Sequence, residues 1–235
     1  MRLIFSCSIL LASLVLAVAA SATTTYSNID GMSGWSSCTT CAGRNGSGPT
    51  ASFSMLRGIS SPSLDGSSVQ FNLGGSTPYA NALWWKQLGG NSGATHFVYD
   101  LYFYLKTPTA AQALEFDINQ FTGGKSFIWG HECRIAGGHQ WDIYDNVNHK
   151  WMPTGVPCKP ISGAWNHLVL NVQRTSSNQL LFKTITFNGK TATINHTEPP
   201  TSTSWNGVTI NYQLDGNRYG TPYMVYLDKL TFTMQ

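Results

Sequence analysis

The chain has 235 residues, only 11% of them charged, and a formal net charge of +3 at neutral pH. This sparse, nearly balanced charge forms no basic stripe, so we expect no nucleic-acid partner. Aromatic residues make up 12% of the chain, and Gly, Ser, Thr and Asn are abundant. A surface of hydroxyls, amides and rings suits sugars, because sugars offer hydroxyls at their edges and apolar C–H faces.

The N-terminal segment has the layout of a secretory signal peptide. Arg2 precedes an apolar run over residues 3–20, and two cleavage options follow, Ala17-Val18-Ala19 and Ala20-Ser21-Ala22. A membrane anchor is the alternative reading, since about 18 apolar residues can just span a bilayer. The cleavage-site pattern and the lack of a basic stop-transfer cluster favour a signal peptide over residues 1–22.

The remaining residues, 23–235, are enough for one large sandwich or barrel. No internal repeat and no linker divides them, so the sequence predicts one domain. We expect the mature protein to be secreted, extracellular or periplasmic, and to be a monomer with no membrane contact.

Four cysteines remain after removal of the signal peptide: Cys38, Cys41, Cys133 and Cys158. An even count in an oxidising compartment predicts two disulfides, for which three pairings are possible. The pairs Cys38–Cys41 and Cys133–Cys158 are favoured, because the first two lie close in sequence and the second two bracket one excursion of the chain. A zinc ribbon would need a second C-x-x-C motif.

Apolar residues recur with period two, which is typical of strands rather than helices. In chain order, the predicted strands are Ser68–Leu73, His96–Leu105, Ala113–Asn119, Lys125–Cys133, Gln140–Asp145, Trp165–Thr175, Gln179–Phe187, Val208–Asp215 and Tyr223–Thr233. Asn188-Gly189, between two β-rich runs, predicts a tight hairpin. Ten to twelve short strands without a helix predict an all-β fold, a two-sheet antiparallel jelly-roll sandwich.

The segment Leu114-Glu115-Phe116-Asp117-Ile118-Asn119 is the most informative one. Its alternation sends the three apolar side chains to the core and Glu115, Asp117 and Asn119 to the opposite face, with neighbours about 7 Å apart. Acidic residues are scarce in this chain, so two carboxylates side by side indicate a site. The alternative is a strand that simply turns polar residues to water.

Glu-x-Asp on a central strand of an all-β sandwich resembles the concanavalin A-like lectin/glucanase superfamily. Its retaining endo-glucanases carry Glu-x-Asp-x-Glu, or Glu-x-Asp-x-x-Glu with a bulge; the first Glu is the nucleophile and the last the acid/base. Glu115 and Asp117 match the first two positions. The third is Asn119 or, in the bulged spacing, Gln120, and an amide cannot donate and recover a proton. Glu132 on the next strand, or Asp215, is then the candidate second carboxyl group.

A second resemblance involves both ends of the mature chain. Asn28–Trp35 and Val225–Leu230 are similar to the first and last strands of jelly-roll carbohydrate-binding modules. Asp30 and Asp228 match positions that help to hold a structural calcium ion in such modules. The resemblance therefore implies a possible calcium site at these two residues, and no other cofactor is required.

Tryptophans supply the other signal for sugar binding. Trp84 and Trp85 are adjacent, so one of them must point away from the core if they lie on a strand. Trp129 is on a strand that follows the acidic one. Core packing is the competing explanation for each single tryptophan.

These observations lead to two main hypotheses. The first is a carbohydrate-binding protein that recognises a polysaccharide or oligosaccharide on the concave sheet face. Its contacts would come from Trp84, Trp85, Glu115, Asp117, Asn119, Gln120, Trp129 and Gln213. The second is an endo-acting glycoside hydrolase, glucanase-like, or a polysaccharide lyase, in which Glu115 acts with Asp117 and Glu132. An extracellular structural or adhesion domain without a sugar site is a further alternative.

Overall fold

The computed structural model describes residues 22–39, 41, 49–90 and 93–235. The predicted signal peptide, apart from its last residue, lies outside the described residues. In the part of the chain that the structure describes, no helix is long and apolar enough to cross a membrane.

Sixteen strands are assigned within the described residues. They are β1 Thr24–Tyr26, β2 Trp35–Cys38, β3 Ser52–Ile59, β4 Ser68–Gly74, β5 Asn81–Gln87, β6 His96–Leu105, β7 Ala111–Thr122, β8 Lys125–Arg134, β9 Gln140–Asp145, β10 Lys150–Pro157, β11 Trp165–Arg174, β12 Leu180–Phe187, β13 Lys190–Glu198, β14 Thr201–Ser202, β15 Gly207–Gly216 and β16 Tyr223–Met234. One 3-10 turn, Pro108–Ala110, precedes β7.

The strands form two antiparallel sheets. Sheet A has the order β13-β12-β11-β6-β16-β4-β3, with β1 added beside β16. Sheet B has the order β10-β9-β8-β7-β15-β5-β2, with β14 added beside β8. Consecutive strands pair at the edges of each sheet, whereas the central pairs, such as β6–β16 and β7–β15, join strands far apart in sequence, as in a jelly roll. The all-β, two-sheet antiparallel jelly-roll sandwich predicted from the sequence is confirmed.

The core lies between the two sheets and is built from alternate residues of each strand. Phe71 of sheet A contacts Trp84 and Tyr212 of sheet B, with ring centroids 5.1 and 5.0 Å apart. Phe97 of sheet A meets Trp129 of sheet B at 5.3 Å. The predicted inward residues of β6, at positions 97, 99, 101, 103 and 105, are all fully buried. Period-two alternation therefore determines which face of each sheet packs in the core and which face is turned away from it.

Two local predictions are also confirmed. Asn188 and Gly189 join β12 to β13 with φ values of 47° and 77°, as a two-residue hairpin turn requires at both positions. The disulfides Cys38–Cys41 and Cys133–Cys158 are both present. The second one ties β8 of sheet B to the segment that follows β10.

The segment that follows the predicted signal peptide differs from the expectation. Asn28–Trp35 was predicted to resemble a first strand, but β1 is Thr24–Tyr26 and β2 begins only at Trp35. Between them the backbone turns, with the Gly31 N–H donating to Asn28 O and the Met32 N–H to Ile29 O. Asn28 itself has a φ of 52°, which a strand does not allow. The expected last strand, Val225–Leu230, lies within β16.

Candidate functional site

The outer face of sheet B, turned away from the core, carries the acidic segment. Strand β7 lies between β15 and β8, and Asp117 pairs with Asn211 on one side and Gly130 on the other. One row further along the strand, Glu115 pairs with Gln213 and with Glu132. We call this surface the polar face; Glu115, Asp117 and Asn119 share it, as the alternation predicted.

Three carboxyl groups converge on the polar face. Each of Glu115, Glu132 and Asp215 has a carboxylate oxygen within 4.8 Å of one from each of the others. The Gln213 amide lies between two of them, because its Nε2 donates to Glu115 Oε1 at 2.6 Å and to Asp215 Oδ1 at 3.0 Å. We call these three residues the face cluster. It joins Glu115 to Glu132 and Asp215, the two candidate partners identified from the sequence.

Burial keeps part of the face cluster protonated at neutral pH. Burial raises the pKa of Glu115 well above its usual range, and the charge on Asp215 raises it further. Burial, with Asp215 second, raises the pKa of Glu132 to about 8. Burial raises the pKa of Asp215 only to about 6, because its hydrogen bond with Glu115 opposes the shift. Glu115, the group with the higher pKa, can therefore donate a hydrogen bond to an ionised Asp215.

The strand neighbours of the face cluster extend this acidic patch. Burial raises the pKa of Asp117 to about 7, against the hydrogen bonds that favour its ionised form. Asp142, opposite Glu132 on β9, forms an ion pair with Arg134, with Nε and Oδ2 2.8 Å apart. The patch therefore offers acceptors and acids, but its guanidinium group is already paired.

Aromatic rings flank the row that contains Asp117. Trp85 on β5 pairs with Asn211 and is half-buried. On the other side, Tyr144 and Trp151 pair across β9 and β10, with ring centroids 5.0 Å apart. From Trp85 to Tyr144 the row crosses four strand spacings, about 19 Å.

A glycine lets the second aromatic pair approach the acidic strand. A Cβ placed on Gly130 would lie 2.8 Å from Tyr144 Cβ, 3.4 Å from the Trp151 ring and 3.5 Å from Asp117 Oδ1. Contacts this short would force the neighbours apart. The missing side chain therefore lets Tyr144 and Trp151 lie close to Asp117.

Three of the predicted sugar-contacting residues lie on the core side of sheet B instead. Trp84 and Trp129 are 1% and 0% exposed, and both pack against rings of sheet A. Gln120 is fully buried, and its Nε2 donates to Ala94 O at 2.9 Å. Along their strands these residues alternate with those of the polar face, so their side chains point to the core. None of them can therefore contact a ligand bound on the polar face. Of the two adjacent tryptophans, the one that faces outward is Trp85.

Two other predicted residues lie on the polar face but are covered. Asn119 and Gln213 are 3% and 4% exposed. The Asn119 amide donates to Thr209 Oγ1 at 3.1 Å, and Gln213 is engaged with the face cluster. They hold neighbouring groups in place, while Glu115, Asn211 and the flanking rings are more exposed.

Sequence reasoning missed Tyr144, Trp151 and Asn211. Asn211 lies within the predicted strand Val208–Asp215, two residues before Gln213, so strand alternation alone could have placed it on the same face. Tyr144 lies in a predicted strand, but its proximity to Asp117 depends on the pairing of three strands and on Gly130. Trp151 belongs to a strand that contains Pro153 and Pro157, which weakened the strand signal.

The other two predicted acidic residues, Asp30 and Asp228, lie together where the chain ends meet. Asp30 Oδ1 accepts from the Leu230 N–H at 3.1 Å. Asp228 Oδ2 accepts from the Leu64 N–H at 2.6 Å and from Ser63 Oγ at 2.9 Å. We call these two residues the end pair; they are 3% and 0% exposed.

The end pair fits a cation. Burial raises the pKa of Asp30 to about 6, and the charge of Asp228 contributes to that shift. Asp228 Oδ1 is buried and has no hydrogen-bond partner among the described residues. Two adjoining buried carboxylates with an unused oxygen suit a hard cation with oxygen ligands, such as calcium.

No family model matches the sequence, and no curated protein matches it. Among solved structures, the chain is similar to a protein described as cellulose induced protein, Cip1, with a TM-score of 0.54 and 14% identity over 88% of this chain and 96% of that one. A carbohydrate esterase from the Shiga toxin-encoding bacteriophage phi24B has a TM-score of 0.48 and 15% identity, over 91% of this chain and 100% of the other.

A family 11 carbohydrate-binding module from Clostridium thermocellum, solved with a mixed-linked tetrasaccharide, has a TM-score of 0.41 and 13% identity, over 89% of this chain and 94% of the module. Of these three, only Cip1 has a TM-score above 0.5. At that identity the similarity to Cip1 concerns the fold alone, and it agrees with the two-sheet jelly-roll sandwich described above.

Proposed function

We propose that this chain is an exported protein that binds a polysaccharide on the polar face of sheet B. One observation carries the proposal: a row of amide and carboxylate groups, centred on Asn211 and Asp117, lies between Trp85 and the pair Tyr144–Trp151. Aromatic rings pack against the apolar C–H faces of sugars. The carboxylate and amide groups between the rings accept hydrogen bonds from sugar hydroxyls, and the amides also donate hydrogen bonds to them. An extended glycan lying across the strands would meet both.

The charge of the polar face narrows the class of ligand. Five carboxyl groups, those of the face cluster together with Asp117 and Asp142, lie around a guanidinium group that is already paired. Asp215, ionised at neutral pH because its pKa is about 6, would repel a polyanion, and the guanidinium group of Arg134 is already paired with Asp142. The proposed ligand is therefore a neutral polysaccharide, recognised through its hydroxyls and ring faces.

A screen with matched variants tests this proposal. The parent protein is mixed with insoluble and soluble polysaccharides, and retention is measured. Asp117→Ala should lower the affinity about tenfold to a hundredfold, because a hydrogen bond to a charged group contributes roughly 1.5–3 kcal/mol. Trp85→Ala should also weaken retention, whereas Trp165→Ala, a half-buried tryptophan on sheet A, should not.

The same screen can overturn the proposal. If the parent is retained on none of the polysaccharides, polysaccharide binding is wrong. If the parent is retained but Trp165→Ala weakens retention and the two polar-face variants do not, the ligand binds on sheet A.

The face cluster favours a second candidate, an endo-acting glycoside hydrolase or polysaccharide lyase that uses Glu115. At neutral pH the cluster combines a protonated acid with an ionised carboxylate, the two forms that acid–base chemistry needs. Glu132 stands directly across the strand pair from Glu115, in place of the third carboxyl group that Asn119 does not supply. An oxygen separation within 4.8 Å is nearer to the 5–5.5 Å typical of retaining glycosidases than to inverting geometry.

New reducing ends and unsaturated products, measured in the same screen, distinguish this candidate. Glu115→Gln should keep binding and abolish product release, since an amide of nearly the same shape can neither donate and recover a proton nor act as a nucleophile. Release of products with retained anomeric configuration would support a retaining mechanism in which one carboxyl group of the face cluster is the nucleophile. Binding without any product, by the parent on every polysaccharide that retains it, would leave the binding protein as the function.

We also propose that the end pair, Asp30 and Asp228, holds a structural calcium ion. Its support is the buried, unpartnered oxygen of Asp228 beside a second buried carboxylate. The ion would stabilise the junction of the chain ends and would take no part in sugar binding, because the end pair lies on sheet A and its adjoining turn.

A further inference from the structure

Strand β13 carries a sequence feature that neither sugar binding nor the end pair explains. Residues 195–197 read Asn195-His196-Thr197, an Asn-x-Thr sequence with no proline in the middle. This is the acceptor signal for N-linked glycosylation in exported proteins. The sequence holds one other such signal, Asn45-Gly46-Ser47, which lies outside the described residues.

The backbone makes Asn195 protrude from the sheet. Strand β13 is at the edge of sheet A and pairs only with β12. Phe182 pairs with His196 and Thr184 with Thr193, so two residues of β13, Ile194 and Asn195, oppose a single residue of β12. This is a β-bulge, and Asn195 within it has a φ of 49°. Asparagine tolerates that left-handed conformation better than most residues do.

The side chain of Asn195 is available for modification. Asn195 and Thr197 are exposed, whereas Ile194 and His196 between and beside them are half-buried. The two half-buried side chains help to line a cavity of about 360 Å³ between β10 and β13, so they point inward. No hydrogen bond involves the Asn195 amide in the described part of the chain. A buried asparagine such as Asn166, which makes four side-chain hydrogen bonds, could not carry a glycan.

We propose that Asn195 is N-glycosylated during export. The co-reactant is a lipid-pyrophosphate-linked oligosaccharide. The Asn195 Nδ2 atom attacks the anomeric carbon of the first sugar and forms a C–N bond. The C–O bond to the pyrophosphate breaks, the lipid pyrophosphate leaves with the electron pair, and the amide loses one proton to a base of the transferase.

The position of the glycan has a structural consequence. An edge strand presents unpaired N–H and C=O groups that can pair with a strand of another molecule. A bulky hydrophilic glycan on the bulge of β13 covers this edge and blocks such pairing. It also lies on the edge of sheet A, away from the polar face of sheet B, so it leaves the proposed sugar-binding surface open.

Mass spectrometry on protein secreted by a eukaryotic host tests the modification. The full chain is expressed, and a second version carries the host's own signal peptide in place of residues 1–22, so that export does not depend on the native leader. After enzymatic removal of N-glycans in ¹⁸O-water, the peptide containing Asn195 should gain 3 Da as Asn becomes labelled Asp. Asn195→Gln and Thr197→Ala should lose the label, and Thr197→Ser should keep it. A secreted parent with unmodified Asn195 overturns the proposal.

A second measurement tests the role at the edge. Parent protein and protein trimmed of its N-glycans are heated below their melting temperature, and light scattering is followed. The trimmed protein and Asn195→Gln should aggregate severalfold faster than the parent. Equal rates would show that the glycan does not protect β13. Retention on polysaccharide should be the same for all of these samples, so this result is independent of the proposed function.

Discussion

The face cluster and the end pair are both groups of carboxylates removed from water, but their hydrogen bonds go to different partners. In the face cluster, Glu115 and Asp215 share the side-chain amide of Gln213. In the end pair, Asp228 accepts from the backbone of Leu64, and Asp30 accepts from the backbone of Leu230. Side-chain partners can rearrange without moving the chain, whereas backbone partners fix loops. We therefore expect changes in the face cluster to affect ligands, and changes in the end pair to affect folding.

The largest expected effect comes from Asp228→Ala. The substitution leaves the Leu64 N–H and the Ser63 hydroxyl without their buried acceptor, which should cost about 3 kcal/mol and lower the melting temperature by about 10 °C. Thermal and denaturant unfolding would measure this loss, with the exposed Asp65→Ala as control. The comparison fails if Asp228→Ala is as stable as the control, or if its folded fraction no longer binds a polysaccharide that the parent binds.

Chelation should have the next largest effect. If the end pair holds calcium, an ion at a hundredfold excess over its Kd stabilises the fold by about 2.7 kcal/mol. Excess chelator should then lower the melting temperature of the parent, and added calcium should restore it. The Asp228→Ala variant should not respond. An unchanged melting curve of the parent in chelator would mean that the two carboxylates stabilise the junction without a metal.

A smaller effect, the pH dependence of folding stability, should distinguish the face cluster from the end pair. Burial raises the pKa of Glu132 from 4.5 to about 8, so the folded state keeps a proton that the unfolded state has lost. The stability from this group is fully present below pH 4.5 and is lost as the pH rises through 8. Between pH 6.5 and 8 the loss is about 2 kcal/mol.

The variant Glu132→Gln should therefore show a flatter decline of unfolding free energy from pH 6.5 to 9. This window avoids His131, whose pKa burial lowers to about 4; its contribution to stability is lost only as the pH falls from about 6.5 toward 4. Parent and variant curves with the same slope would show that Glu132 ionises as it does in the unfolded chain.

Strand alternation made much of the fold predictable. The segments around β6, β7 and β9 have one apolar and one polar side, and their bounds were predicted within a few residues. The edge strands β3, β10 and β13 lack that contrast because both of their sides are partly exposed. The first two were not identified, and β13 was predicted only as the second β-rich run of the Asn188-Gly189 hairpin. The turn at Asn28–Ser33 differs from the expected strand because similarity of sequence to a known module does not specify backbone conformation, here the positive φ of Asn28.

Alternation predicts the geometry of the site only within one strand; Glu132 and Asp215 on neighbouring strands were candidates whose distance from Glu115 the sequence did not specify. Glu115, Asp117 and Asn119 follow from the alternation of β7 alone. Trp129 was a candidate sugar contact with core packing as the competing explanation, and the structure shows core packing, because Trp129 alternates toward the core with Phe127 and His131 of β8. The approach of Tyr144 and Trp151 to Asp117 depends on the register of four strands, which no single segment specifies.

The place of the last strand in sheet A has a consequence for how the protein is made. β16 is the C-terminal strand, yet it pairs with β6, β4 and β1 in the middle of the sheet. Sheet A therefore cannot close before residues 223–234 are available to pair. Until then, strands β4 and β6 lack the neighbour that lies between them. Pairing of strands so far apart in sequence is slow, so we expect the joining of the two halves of sheet A by β16 to be a late step in folding.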